Sequence, residues 1–264
     1  MTPRIVVLLK VVPKPEEVRL NPETRTLDRA GAENVLNPPD KNALEVALEL
    51  KEIHGGTITL VSMGPPLFKD YLGLCLGMGA DRAILLSDRL FAGADTYPTS
   101  RTLARAIQKL GGYDLVICGE ESADASTGQV PPGLAEWLGV PQITFVDQVR
   151  VQGDAVIARR ALGSRYEVLE AEMPAVVSVV VGSNEPRFPD FDRVEAAARS
   201  GWVKVWNAAE LGLRKDEVGL KGSYTVVHDL VEGEPVERKR HFLQGSLEEK
   251  VRALAEALEP FLRP

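Results

Sequence analysis

The chain has 264 residues, 44% of them hydrophobic, a formal net charge of −7, two cysteines and three histidines. That is ample apolar material for one large α/β core, with or without an appendage, and it excludes a disordered chain. The acidic balance argues against a nucleic-acid partner, whose phosphates call for a basic face, and the scattered His54, His228 and His241 argue against a zinc or Cys/His centre.

The N-terminal apolar run at 5–9 is too short for the core of a signal peptide, and nothing resembling a cleavage site follows it. No other apolar run approaches the roughly 20 residues that cross a bilayer, so a cytoplasmic protein without membrane insertion is expected. Cys75 and Cys118 lie in apolar contexts and are expected to be buried free thiols.

In chain order, residues 5–12 form a nearly continuous aliphatic run with one lysine, the pattern of a strand buried on both faces of a parallel sheet. The proline-marked segment 13–40 reads as loop, with a short hairpin around 18–27. Asn37-Pro-Pro-Asp40 supplies turn and cap residues before a helix at 41–51, which Gly55-Gly56 closes. Three further strand–helix units follow: strand 57–62 with helix 67–78, strand 83–86 with helix 96–110, and strand 115–118 with helix 131–138. This alternation predicts a doubly wound, mainly parallel sheet.

After Pro141 the pattern changes. Strands at 144–151 and 155–161 flank the turn Gln152-Gly153-Asp154, a strand at 166–170 follows, and 175–181 returns to the buried sheet. A short Ala-rich helix at 193–199 and a strand at 202–206 precede a polar stretch through 245 that has no sustained period. Residues 246–262 then place Leu247, Val251, Leu254, Leu258 and Leu262 on one helical face behind a Ser246 cap. This divides the chain into a nucleotide-binding domain at 1–206, with a hairpin insertion at about 144–170, and an arm at 207–264.

The most informative stretch is the loop at 119–133, rich in small and hydroxyl residues, between a buried strand and a helix. In open α/β sheets ligands bind at such strand ends, where amides at a helix start face an anion. Together with the loops at 37–40 and 63–66 it forms a pocket in which Ser126 and Thr127 hold a phosphate and Asn37, Leu8 and Met63 line the base and sugar. No Walker lysine motif and no G-x-G-x-x-G follows the first strand. Phe188 and Phe191, in Asn184-Glu-Pro-Arg-Phe-Pro-Asp-Phe191, either fold into a local core or stand out as a protein-binding anchor. The acid pairs Glu120-Glu121 and Glu16-Glu17 read as solvated surface, and no nucleophile–base pair is present, so no catalysis by this chain is expected.

In this order the landmarks resemble the β subunit of electron transfer flavoproteins: Lys10-Val-Val-Pro13, Asn37-Pro-Pro-Asp40, Val61-Ser-Met-Gly-Pro65, Met78-Gly-Ala-Asp-Arg82, the loop 119–129 with Leu138-Gly-Val-Pro141, and Met173-Pro-Ala-Val-Val177. The resemblance implies an adenine-nucleotide-hydrolase-like (Rossmann-like) fold with an extended C-terminal arm wrapping an α subunit. It implies structural AMP at Leu8, Asn37, Pro38, Pro39, Asp40, Met63, Gly119, Ser122, Ala123, Asp124, Ala125, Ser126, Thr127, Gly128, Gln129 and Val130.

FAD is then bound chiefly by the α subunit, with this chain closing one side. Electrons come from flavin dehydrogenases, acyl-CoA dehydrogenases among them, and pass to a quinone oxidoreductase. Asn184, Glu185, Pro186, Arg187, Phe188 and Phe191 match the family's partner-recognition loop, with Phe191 where the family has leucine. A stand-alone universal-stress-type nucleotide module shares the architecture but has no use for the arm. An ATP-consuming ligase or pyrophosphatase would need a Ser-Gly-Gly-type loop that Lys10-Val-Val-Pro13 does not supply.

Overall fold

Strand β1 (Arg4–Leu9) sends Ile5, Val7 and Leu9 into one hydrophobic layer and Val6 and Leu8 into another, as a strand with helices on both faces must. The computed structural model describes residues 2–14, 19–21, 26–28, 33–228 and 240–262. The expected strand at 5–12 is divided. Lys10 interrupts it, because its N–H is donated to Asp40 Oδ2 at 2.7 Å instead of to a neighbouring strand. Beyond it, β2 (Val11–Pro13) pairs antiparallel with β5 (Asn34–Leu36). The expected hairpin takes the form of β3 (Arg19–Asn21) against β4 (Thr26–Asp28); Val18 and residues 22–25 lie outside the described residues.

Helix α1 (Pro38–His54) begins three residues before the expected start, on two prolines that a first turn tolerates, and ends on Gly55 at φ +72°. Next come β6 (Thr57–Met63), α2 (Phe68–Met78), β7 (Arg82–Leu86), α3 (Thr96–Leu110), β8 (Leu115–Gly119) and α4 (Val130–Leu138). Then follow β9 (Gln142–Gln152), β10 (Ala155–Leu162), β11 (Arg165–Glu172), β12 (Ala175–Val179), α5 (Phe191–Ser200) and β13 (Val203–Trp206).

Among the described residues the main sheet has nine strands in the order β11-β10-β9-β12-β8-β1-β6-β7-β13. From β9 to β13 neighbours run parallel, whereas β10 and β11 extend the sheet as an antiparallel hairpin. Strand β9 serves both parts, its first half parallel to β12 and its second half antiparallel to β10. The architecture is the doubly wound, mainly parallel α/β fold expected from the alternation of strands and helices. Chain direction reverses at β1: β6 and β7 build outward on one side, and β8 and β12 on the other. The C-terminal ends of β1 and β8 therefore flank the crevice in which such sheets hold ligands.

One core layer packs α1 and α2 through Leu44, Leu48, Leu72 and Leu76; the other packs α3 and α4 through Leu103, Ile107 and Leu134. Cys75 and Cys118 are buried free thiols. Burial pushes the Cys75 thiol up to about 12 and the Cys118 thiol higher still, so neither is a thiolate at neutral pH.

By its internal contacts the chain forms two units, Met1–Asp229 and Leu230–Pro264. Although the polar stretch after β13 has no hydrophobic period, it contributes Ala208, Leu211, Leu213 and Val218 to the second core and forms the short helix α6 (Gly219–Gly222). In the second unit, α7 (Leu247–Leu262) opens on a reciprocal capping box. Ser246 N–H is donated to Glu249 Oε2 at 2.7 Å, and Glu249 N–H to Ser246 Oγ at 3.3 Å. Among the described residues no helix is long and apolar enough to cross a membrane.

Candidate functional site

Asp40, in the first turn of α1, is only 6% exposed. Its Oδ2 accepts the Lys10 N–H at 2.7 Å and its Oδ1 the Gly119 N–H at 3.0 Å, so one carboxyl group joins the ends of β1 and β8 across the switch point. Gly119 has to be glycine: a Cβ there would overlap Asp40 Oδ1 and crowd the Asp40 and Pro39 backbone. Burial pushes the Asp40 carboxyl up to about 7, against the opposing pull of the two amide donors, Asn37 and the Lys10 ammonium.

Asn37, 1% exposed, fixes the next part of the loop from both ends of its side-chain amide. Its Nδ2 donates to the Glu121 carbonyl at 2.8 Å, and its Oδ1 accepts the Ala123 N–H at 3.0 Å. Lys10 Nζ reaches Ser122 Oγ at 3.1 Å and Asp124 Oδ1 at 2.5 Å. The chain then turns tightly, with the Ala125 and Ser126 N–H groups both donated to the Ser122 carbonyl at 3.1 and 2.7 Å. Ser126 and Gly128 take positive φ, +46° and +61°.

Among the described residues, neither the Thr127 nor the Gly128 N–H has an acceptor within the chain. Consecutive amides beside left-handed residues form a concave anion nest. Helix α4 contributes less than expected, since Pro131 and Pro132 in its first turn carry no N–H; the donors left without an acceptor at this strand end are those of the loop. Gln129 is held from behind, its Oε1 accepting from Thr96 Oγ1 at 3.0 Å. Leu8 and Met63 lie on the adjacent strands β1 and β6, Leu8 within the α3/α4 core layer and Met63 packed against it. Pro38 is exposed and Pro39 buried at the start of α1, and Val130 opens α4.

The second predicted cluster lies along α1. Asn42 and Asn184 bond reciprocally: Asn42 Nδ2 donates to the Asn184 carbonyl at 2.8 Å, and Asn184 Nδ2 to the Asn42 carbonyl at 3.1 Å. Glu45 Oε1 accepts Nε and Nη2 of Arg187 at 2.9 and 2.7 Å, while Oε2 accepts the Arg187 N–H at 2.9 Å. Glu52 takes Nη1 at 2.5 Å, which holds its carboxyl below the usual range. Glu185 is exposed and Pro186 half-buried on this strapped segment. The rings that follow do not fold into a local core: Phe188 is 94% and Phe191, the first residue of α5, 79% exposed.

Two participants escaped the sequence reading. Lys10 is a lone polar residue in an aliphatic run, and only the convergence of β1 with a loop more than 100 residues away gives it partners. Glu120 is not simply solvated surface. Its Oε1 accepts the Val181 N–H at 2.9 Å, and its own N–H bonds the Val179 carbonyl at 2.9 Å, fixing the chain beyond β12. Glu16 and Glu17 lie outside the described residues.

A family model described as electron transfer flavoprotein domain matches residues 24–211. The electron transfer flavoprotein subunit beta of Thermoanaerobacterium thermosaccharolyticum is 43% identical over 255 residues, covering 96% of this chain and 97% of that protein. Protein FixA of Sinorhizobium fredii is 42% identical over 244 residues, 89% of this chain and 85% of the relative. The caffeyl-CoA reductase-Etf complex subunit CarD of Acetobacterium woodii is 40% identical over 225 residues, 85% and 86% of the two chains.

Proposed function

Because this chain belongs to the electron transfer flavoprotein β-subunit family, we propose that it is the half of a heterodimeric electron carrier that holds AMP structurally and has no catalytic residues of its own. In this reading FAD is carried chiefly by an α subunit, and this chain closes one side of the flavin site. The work left to the chain is positioning: it must hold a loop, a partner subunit and a docking segment in fixed relation.

The observation that carries the AMP assignment is the Asp40 carboxyl group bonded at once to Lys10 and Gly119 at the sheet's switch point. A buried carboxyl group is costly unless it is hydrogen-bonded, and here it is bonded to the ends of β1 and β8 that flank the crevice receiving nucleotides in this class of sheet. The unpaired Thr127 and Gly128 amides suit a phosphate oxygen, with the Lys10 ammonium close by on Ser122 and Asp124. The site residues are Leu8, those at 37–40, Met63, Gly119 and those at 122–130.

The exposed Phe188 and Phe191, on a segment strapped to α1, supply the partner-docking anchor. A relative named as part of a caffeyl-CoA reductase complex favours flavin enzymes acting on CoA thioesters as the electron partners, acyl-CoA dehydrogenases among them, with a quinone oxidoreductase as acceptor. The setting is the cytoplasm. Residues 1–206 act as the nucleotide-binding domain and residues 207–264 as the arm toward the α subunit, the first part of the arm belonging to the first unit, where Ala208, Leu211, Leu213 and Val218 enter the second core.

The test is the cofactor content of the heterodimer purified with its α subunit. One FAD and one AMP per heterodimer are expected, and AMP returned to nucleotide-stripped protein should raise its melting temperature, because a ligand that binds only the folded state stabilises it. Absence of any adenine nucleotide would sink the pocket assignment. A second FAD in place of AMP would retain adenylate recognition but overturn the free-nucleotide reading.

A further inference from the structure

Phe145 is one of two non-glycine residues with positive φ among those described, at +58°; the other, Ser126, is in the nucleotide loop itself. A bulky aromatic residue in the left-handed region is an outlier that surrounding structure must enforce. Here the enforcement is a bulge in β9. Val177 of β12 pairs with Ile143 and Val179 with Val146, so Thr144 and Phe145 together stand opposite Ser178. The Phe145 N–H, displaced from the ladder, is donated to Ser178 Oγ at 3.0 Å, from a serine only 1% exposed.

The conformation is not explained by core burial, because the side chain is 41% exposed. Its ring stands instead against the nucleotide loop: a Cβ added to Gly128 would lie 3.3 Å from Phe145 Cζ. A bulge is a common device for re-aiming a side chain beside a site. On the adenylate reading given above, we infer that Phe145 is a positioning residue for nucleotide binding: the strained bulge aims its ring beneath Gly128 and holds the Thr127 and Gly128 amides toward the phosphate. The ring acts through the loop and needs no contact with the ligand.

A strained positioning residue behaves differently from a structural one, because removing it separates affinity from stability. The experiment uses the full heterodimer stripped of nucleotide, with AMP as the probe, and compares wild type with Phe145→Gly and Phe145→Tyr. Phe145→Gly accepts the left-handed backbone without strain but has no ring. AMP affinity should fall at least tenfold while the melting temperature of the nucleotide-free protein does not drop, and hydrogen exchange at the Thr127 and Gly128 amides of the AMP complex should rise. Phe145→Tyr keeps the ring and should bind AMP within about twofold of wild type.

Unchanged AMP affinity in Phe145→Gly, with wild type binding normally, overturns this inference alone. Affinity and melting temperature falling together in Phe145→Gly overturn it in favour of a purely structural ring. Failure of wild type to bind AMP removes this inference together with the reading it rests on.

Discussion

Asp40 illustrates how one side chain connects sequence, fold and site. Its carboxyl is raised from 3.8 to about 7, chiefly by burial, so the folded state holds a proton that the unfolded chain releases at lower pH. That contribution to stability is fully present below the unfolded value and is lost as pH rises through about 7. Going from pH 5 to pH 8, wild type should lose about 2–3 kcal/mol from this group, a component that Asp40→Asn lacks. Urea denaturation of both proteins at the two pH values measures the change in their stability gap; a gap that stays constant would refute the assignment. The sequence singled out Asn37 and Asp40 as turn and cap residues before a helix, and both bond the loop or strand ends of the candidate site. It gave no means of seeing that Asp40 would be bonded to Gly119, 79 positions away, because that contact arises only once β1 and β8 lie side by side.

Helix α1 is the element on which both predicted clusters converge. Its first turn supplies Asp40 to the crevice, while Asn42, Glu45 and Glu52, spaced three and seven residues apart, put three acceptors on one face for the segment at 182–187. Arg187→Ala would strand Glu45, only 5% exposed, without its guanidinium. With the Arg187 side chain itself one-third exposed, a loss of about 1–3 kcal/mol is expected. Hydrogen exchange should rise locally at the amides of 181–193 and dehydrogenase-coupled reduction should weaken, while AMP content stays at the wild-type level. Exchange unchanged over that segment would show that the strap is not what holds Phe188 and Phe191 in place.

At this scale much was legible, because helices and buried strands announce themselves by period: the strand–helix units are where hydropathy placed them, within about three residues. What was illegible has specific causes. The bulge at Phe145 leaves a run of apolar and polar residues looking like any other strand. The dual pairing of β9 depends on a neighbour, β12, that comes more than 20 residues later in the chain. The stretch after β13 contributes Leu211, Leu213 and Val218 to the second core from turns, which have no period to detect.

For the molecule as a whole, the two units differ in what they can bury. The first closes two complete hydrophobic layers around its sheet. The second offers one amphipathic helix, α7, in which Leu247, Val251, Leu254, Leu258 and Leu262 share a face and no residue is buried. An isolated helix of this length gains too little from its backbone alone to be stable in water, so its apolar face calls for a partner surface, and the proposed α subunit supplies one. Deleting residues 230–264 should therefore leave the first unit folded, with a melting temperature within a few degrees of the full chain when each is measured without a partner. The same deletion should abolish co-elution with the α subunit on size-exclusion chromatography and, with it, the flavin absorbance of the complex. Individual Leu→Ala changes on α7 should weaken assembly by about 1–3 kcal/mol each, with Leu254 and Leu258 near the middle of the face costing most. A truncated chain that still assembled with wild-type affinity and kept its flavin would assign heterodimer formation to the first unit and leave α7 without the role its sequence pattern suggests.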